Sequence, residues 1–422
     1  MVHTRGDGAG SPARLRIAMA LYSDISFDSR VIREATTLAE SGHDVTVYCL
    51  GGQVPADAPF RVVARRPGGW AVLPDRSSPF LAGAAASPLA KLTSRVRWVV
   101  GYARTVRAWG RWAVRAAGEV DVWHAHDLTG LLAVGPLARK PTRLVYDSHE
   151  IFLETGSGAR LPGPARRMLS MYERLLTQRA VALVTVNEGY AEVLATRTRP
   201  RRVVLVRNCP PRWSPPAGSR RLLRDAVGID EGVPLVLYHG LLSKTRGIEE
   251  LLEAMDQPGM DSVHVALLGF GPLSAALAET ATQGRFGGRL HVLPAVPPGE
   301  LLPWIAGADV DVIALQHTTL NHYLCSPNKL WESLAAGVPV VVSDFPVMRR
   351  VVLEDPSGAL GGVCNPADPA SLAAAVLAVL NHSAPERELL RRACLDAAHE
   401  RWNWERESSR LLELYAEIAA GQ

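Results

Sequence analysis

The feature that most constrains this chain is an alternation of short apolar runs with helical patterns, carried through twice. Leu15–Tyr22 is an apolar run of strand length, followed by a polar loop, Ser23–Asp28. A helical stretch, Arg30–Ser41, then puts Val31, Ala35, Leu38 and Ala39 on one face. Gly42 stops it, and Asp44–Leu50 reads as the next strand. Strand, helix and strand in that order make a βαβ unit, which favours a parallel sheet. The pattern continues through strands at Val120–His124, Leu144–Tyr146, Ala182–Val186 and Arg202–Val206, with helices at Leu128–Ala138 and Leu169–Arg179. A proline-rich breaker cluster, Asn208–Gly218, interrupts it. The second series has strands at Leu235–His239, Val263–Leu268, Leu290–Leu293, Val310–Ala314 and Val338–Val342. Helices at Ile248–Met255, Leu273–Thr282, Leu301–Ala306 and Asn328–Ala336 alternate with them.

The expected fold class is therefore α/β, with two doubly wound, Rossmann-like domains. Residues 15–210 form the first, 211–218 the linker and 219–400 the second. Residues 401–422 read as a terminal helix packing back on the first domain, and 1–14 as a flexible tail. Ligands of such sheets bind outside the carboxyl ends of the strands, so the expected site is a cleft between the two domains.

Composition narrows the function. The chain is 47% apolar, enough for real cores, which excludes a mainly disordered chain. Its formal net charge of +4 gives no argument for a nucleic-acid partner. Its five cysteines are far apart, with neither metal-binding spacing nor a dense framework, and point to free thiols in the cytoplasm. Only four basic residues are lysines, namely Lys91, Lys140, Lys244 and Lys329. Each stands out in a chain that otherwise uses arginine.

Asn321–Arg350 is the most informative stretch. Ser326 and Pro327 open a helix at Asn328, whose N-terminus offers free N–H groups and partial positive charge to an anion. Lys329 adds a full charge, and Glu332, one turn on, suits sugar hydroxyls. The plainer reading is a capped helix with an exposed ion pair. His239–Gly247 lies between a strand and a helix and carries Lys244 and Arg246. Leu268–Leu273 carries Gly269 and Gly271, but Pro272 and Ser274 break the dinucleotide-binding pattern. In the first half, Asp121–Asp127 and Tyr146–Glu150 place histidines and carboxylates at strand ends. His124, His126 and Asp127 could be read as metal ligands, but no further ligand cluster accompanies them. Arg95–Arg115 puts Arg97, Arg104, Arg107, Arg111 and Arg115 on one helical face, with Trp98, Tyr102, Trp109 and Trp112 on another. That is a core-packing helix with a solvated face, or a peripheral contact with an anionic membrane.

Glu332–Val341 resembles the Glu-x-Leu/Met-Ala-x-Gly-x-Pro-Val-Val run of the GT-B glycosyltransferases, family 4, in the branch with a Pro-Asn-Lys-Leu motif, here Pro327–Leu330. Many members carry a glutamate eight residues upstream that touches the donor sugar; this chain has Leu324. In His239–Gly247, Gly240 and Gly247 align with the family motif, Arg246 takes the lysine position, and Leu241 replaces an arginine that Lys244 compensates. The resemblance implies a retaining, metal-independent transferase. Its co-substrate is a UDP- or GDP-linked sugar, and its acceptor is a small molecule, a glycan or a lipid-linked group. It implies donor binding by Gly240, Lys244, Arg246, Gly269, Gly271, Val296, Ser326, Pro327, Asn328, Lys329, Leu330 and Glu332. Lys329, Arg246 and His126 are the implied catalytic residues. The implied acceptor side is Asp24, Asp28, Arg30, His126, Asp127, His149 and Glu150. No cofactor and no metal are expected. Asp309-Val-Asp311 matches the metal motif of the different GT-A fold, but sits in a strand entry that GT-B members show without metal. A nucleotide-sugar epimerase of this fold and a non-catalytic nucleotide-sugar binder are the alternatives.

Overall fold

The computed structural model describes residues 14–66 and 88–421. The expected tail, 1–14, lies almost wholly outside them. Among the described residues thirteen strands form two sheets, every pairing parallel. The first holds β1 (Arg16–Ala20), β2 (Asp44–Cys49), β3 (Arg61–Ala64), β4 (Val122–His126), β5 (Arg143–Ser148), β6 (Ala182–Thr185) and β7 (Val203–Leu205), in the order β3-β2-β1-β4-β5-β6-β7. The second holds β8 (Leu235–Leu241), β9 (His264–Phe270), β10 (Leu290–Pro294), β11 (Val310–Ile313), β12 (Val340–Ser343) and β13 (Gly361–Cys364), in the order β10-β9-β8-β11-β12-β13. Each order reverses once, between β1 and β4 and between β8 and β11. These reversals are where open α/β sheets bind ligands.

The strand sequences explain the layering. In the second sheet Val236, Tyr238, Val265 and Leu267 pack into one core, and Leu235, Leu237, Ala266 and Leu268 into another. Alternate side chains thus go to opposite faces and both faces are covered by helices, so the runs are apolar throughout and not alternating.

The chain divides into two compact units. One runs up to Thr185 and includes Val193–Val206 and Ser408–Gln422; the other comprises Val186–Glu192 and Arg207–Glu407. Hydrogen bonds tie Val186–Glu192 to the second unit: Asn187 Nδ2 donates to Leu324 O (3.0 Å) and Ser326 Oγ (3.1 Å), and Tyr190 Oη to Asn321 O (2.9 Å). In the first unit the helix Pro88–Ala117 crosses Asp127–Val134 at Gly110, where a Cβ would lie 2.0 Å from Ala133 O. Only glycine permits that approach. Trp109 of this helix is buried and its Nε1–H donates to Arg65 O, while Tyr102 meets Tyr22 edge-on. Arg97, Arg104, Arg107, Arg111 and Arg115 are exposed. All five cysteines are free thiols. No helix among the described residues is long and apolar enough to cross a membrane.

Candidate active site

In the second unit, chemistry gathers where β8 and β11 meet the helix Asn328–Ala335. The helix begins after Pro327, and no side chain caps it. Its first-turn N–H groups and its dipole therefore favour an anion. Lys329 Nζ lies 3.3 Å from the centroid of the Tyr238 ring, a cation–π contact. Burial pulls this ammonium down to about 7, with Arg246 adding repulsion against the opposing pull of Asp311 and Glu332. Gly240, at φ +106°, makes room: a Cβ there would stand 3.1 Å from Lys329 Cε.

His239 links two carboxylates. Its Nε2 is 3.1 Å from Glu332 Oε2 and its Nδ1 is 3.2 Å from Asp311 Oδ2. Burial disfavours its charged form, but Asp311 and Glu332 outweigh that and raise it to about 9. The two acids thus favour its charged form at neutral pH, with Nε2 hydrogen-bonded to Glu332 and Nδ1 beside Asp311. Ser333 Oγ donates to Asp311 at 2.6 Å. Glu332, with 18% of its side chain exposed, is held from behind and open in front.

Around this centre, Lys244 is exposed and Arg246 half-buried. Between them Thr245 adopts φ +68°, a left-handed conformation rare outside glycine. Gly269 pairs with Gly240 across β8 and β9, and a Cβ on it would fall 1.8 Å from Gly240 O. Gly271 turns the chain at φ +155°. Val296, like Leu301 and Leu302, packs against the core of the second unit. Ser326 Oγ accepts from Asn187, and Asn328 Oδ1 from Asn208. The Leu330 side chain is wholly buried with Trp331 and Leu334, so only its backbone stands on the donor side. The side chain points down from the helix and anchors it. Asp309 is held by Arg224 (2.6 Å) and Leu235 N, so with Asp311 on His239 and Ser333 the Asp-x-Asp pair is engaged within the protein.

The first unit carries a second cluster, at its own strand-order reversal. His126 ends β4, and its Nδ1 lies 3.3 Å from both His149 Nε2 and Asp147 Oδ2. His149 Nε2 is 2.9 Å from Asp147 Oδ2. Arg30 donates to both Asp147 oxygens at 2.8 Å, to Val206 O, and pairs with Glu34 at 3.0 Å. Burial works against ionising Asp147, yet Arg30 and His149 hold its carboxyl well below the usual range. Asp127 and Asp147 likewise overcome burial and raise His149 to about 10. Burial pushes Glu34 up to about 8. Arg30 is thus an internal counter-charge, 2% exposed, and not the acceptor-facing group the sequence suggested. Asp24 and Asp28 cap the turns that start at Ile25 and Ser29. Asp127, at φ +56°, accepts from His149 N. Glu150 O accepts from Ser148 Oγ.

Glu34, His124, His126 and Asp147 bring donor atoms within 4.8 Å of one another, the spacing of a metal group. Glu34 Oε1 and Oε2, His124 Nε2 and His126 Nε2 are buried there without a hydrogen-bond partner, while the Arg30 guanidinium, ion-paired with Glu34 and Asp147, already places a positive charge beside them. Sequence reasoning also missed Tyr415, whose hydroxyl lies 2.9 Å from His124 Nδ1. Missed too were Asn187 and the linking role of His239.

Comparison with known proteins bears on both units. Residues 29–209 match the family model "Glycosyl transferase 4-like domain", and residues 233–382 match "Glycosyl transferases group 1". The chain belongs to the GT-B glycosyltransferases of family 4. This glycosyltransferase is 26% identical over 322 residues to the D-inositol 3-phosphate glycosyltransferase of Xylanimonas cellulosilytica, covering 72% of this chain and 74% of that one. It is 23% identical over 264 residues to the chitobiosyldiphosphodolichol beta-mannosyltransferase of Candida albicans, covering 58% and 57%. Its fold is similar to that of sucrose-phosphate synthase from Thermosynechococcus elongatus, with a TM-score of 0.71 at 17% identity over 97% of this chain and 100% of that one. HepE of Anabaena in complex with UDP gives 0.69 at 14%, over 96% and 100%.

Proposed function

We propose that this glycosyltransferase moves a sugar from a UDP- or GDP-linked donor to a hydroxyl-bearing acceptor, with retention of configuration and without a divalent cation. The observation that carries the reading is the convergence of Lys329, the uncapped helix start and the His239-backed Glu332 at the β8/β11 reversal. Lys329 with Arg246 and Lys244 holds the diphosphate, and Glu332 accepts hydrogen bonds from the ribose hydroxyls. As the bond from the sugar C1 to the phosphate oxygen breaks, its electron pair stays on the diphosphate. The protein cations and helix N–H groups stabilise that charge. The acceptor oxygen bonds C1 on the same face, and its proton passes to the departing phosphate oxygen. His149 and Asp127, with 17% and 30% of their side chains exposed, are assigned to the acceptor side, and His126, wholly buried, lies behind His149. HepE's complexes with UDP and UDP-glucose make UDP-glucose the first donor to try. The relatives' names span a small phosphorylated acceptor and a lipid-linked one, so the acceptor is proposed only as a class.

A panel of nucleotide sugars, incubated with and without candidate acceptors, tests the reading. Transfer predicts release of nucleoside diphosphate that an acceptor accelerates. Isomerised donor would identify an epimerase, and binding alone a non-catalytic protein. Activity should persist in excess EDTA. Loss restored by manganese or magnesium would contradict the protein-cation mechanism.

The lowered Lys329 gives a pH signature. Bound diphosphate favours the ammonium, so binding takes up a proton wherever free Lys329 is partly neutral. Affinity should be level below about pH 7 and fall as pH rises through and beyond it, by up to tenfold per pH unit. Calorimetry at pH 8 in buffers of different ionisation enthalpy reads the proton directly. No uptake there would rule out Lys329 as the diphosphate's partner.

A further inference from the structure

The helix Gly163–Thr177 has an exposed apolar side that its own fold does not explain. It buries Glu173, Leu176 and Thr177. On the other side Met168 (66% exposed), Met171 (61%), Leu175 (59%) and Tyr172 (36%) form one stripe at i, i+3, i+4 and i+7. Single exposed apolar residues are ordinary, but a stripe of four on one helix marks an interaction surface. Arg167 and Arg174 border it. The helix's one acid, Glu173, is turned inward between Tyr146 and Arg197.

The neighbouring charge identifies the partner. Pro88–Ala117 contains seven basic residues and no acidic one, against a net +4 for the whole chain. Its arginines at 97, 104, 107, 111 and 115 are exposed. Both helices pack against Asp127–Val134, so the basic face and the apolar stripe flank one common helix. A second copy of this chain is a poor occupant, because a two-fold contact would set arginine against arginine. A surface that is anionic outside and apolar beneath fits both features.

We propose that the first unit docks on an anionic lipid surface. Met168, Met171, Tyr172 and Leu175 enter the boundary between headgroups and acyl chains, and the arginine face of Pro88–Ala117 engages the headgroup charge. The sequence pointed only to the second of these. The proposal does not rest on glycosyl transfer, since docking requires neither donor nor acceptor.

Co-sedimentation of the full chain with vesicles tests it. Vesicles containing roughly one-third phosphatidylglycerol in phosphatidylcholine should bind the chain, and pure phosphatidylcholine should bind it weakly. Binding should weaken sharply at about 0.5 M salt. M168S/M171S/L175S should bind at least about tenfold more weakly with unchanged circular dichroism and melting, and so should R104E/R107E/R111E. Leu389→Ser, at an exposed position of the second unit, should change nothing. Failure of the native chain to bind anionic vesicles would overturn the proposal. So would binding that both triple variants leave intact, or equal binding to polyglutamate that ignores the stripe. A dimer in sedimentation velocity that M168S/M171S/L175S dissociates would assign the stripe to contact between copies instead.

Discussion

Replacing Glu332 with Ala is expected to weaken nucleoside diphosphate binding about tenfold or more while leaving the fold intact. A carboxylate accepting from a ribose hydroxyl makes a charge-assisted bond worth roughly 1.5–3 kcal/mol, and each 1.4 kcal/mol is about tenfold in affinity. His239 holds this carboxylate in place before any ligand arrives, so little ordering cost offsets the bond. The fold should survive because the helix is anchored by Leu330, Trp331 and Leu334, which the substitution does not touch. His239 keeps Asp311 as its partner. Calorimetric titration of UDP and GDP into native and E332A protein, with melting curves alongside, gives the answer. Equal affinities would remove Glu332 from the site.

Changing Lys329 to Arg should lower turnover at least about tenfold, or ~1.4 kcal/mol in the barrier. The charge is preserved, so a purely electrostatic role predicts a mild effect. The geometry predicts more. Nζ rests 3.3 Å from the Tyr238 ring centroid, and Cε lies so near Gly240 that one added Cβ would stand 3.1 Å away. A planar guanidinium is larger than an ammonium and stays protonated far above neutral pH, so it would lose both the fit and the proton uptake at pH 8. Lys140→Arg, at an exposed site, is the control. If the two substitutions are equally silent, no compact charge is needed at residue 329.

Strands buried on both faces announce themselves as apolar runs, so most of both sheets was legible in the sequence. β13 was not, because its Gly361-Gly-Val-Cys364 sequence reads as a turn. It is a strand because glycine lets its backbone approach β12, where a Cβ on Gly361 would fall 1.9 Å from Val340 O. β3 is short and only partly buried, and gave no clear run. The strand expected at Val120–His124 actually ends at His126. Two histidines look like the end of an apolar run, yet both are fully buried, with His124 Nδ1 beside the Tyr415 hydroxyl of the last helix and His126 Nδ1 beside Asp147 and His149. Such partners lie far along the chain, and spacing cannot reveal them. The same holds in the second unit. Lys329 and Glu332 stand out in their motif, but the His239 bridge exists only because β8 lies beside β11. Arg30 was misplaced because its partner Asp147 is 117 residues away.

The most direct test of the central claim is a crystal structure of this glycosyltransferase with UDP or GDP bound. The account predicts ribose hydroxyls on the Glu332 carboxylate. It places the diphosphate within hydrogen-bonding distance of Lys329 Nζ and the first N–H groups of Asn328–Ala335. A nucleotide seated at the strand ends of the first sheet, with Glu332 still on His239 and Lys329 still on the Tyr238 ring and neither touching the ligand, would contradict it.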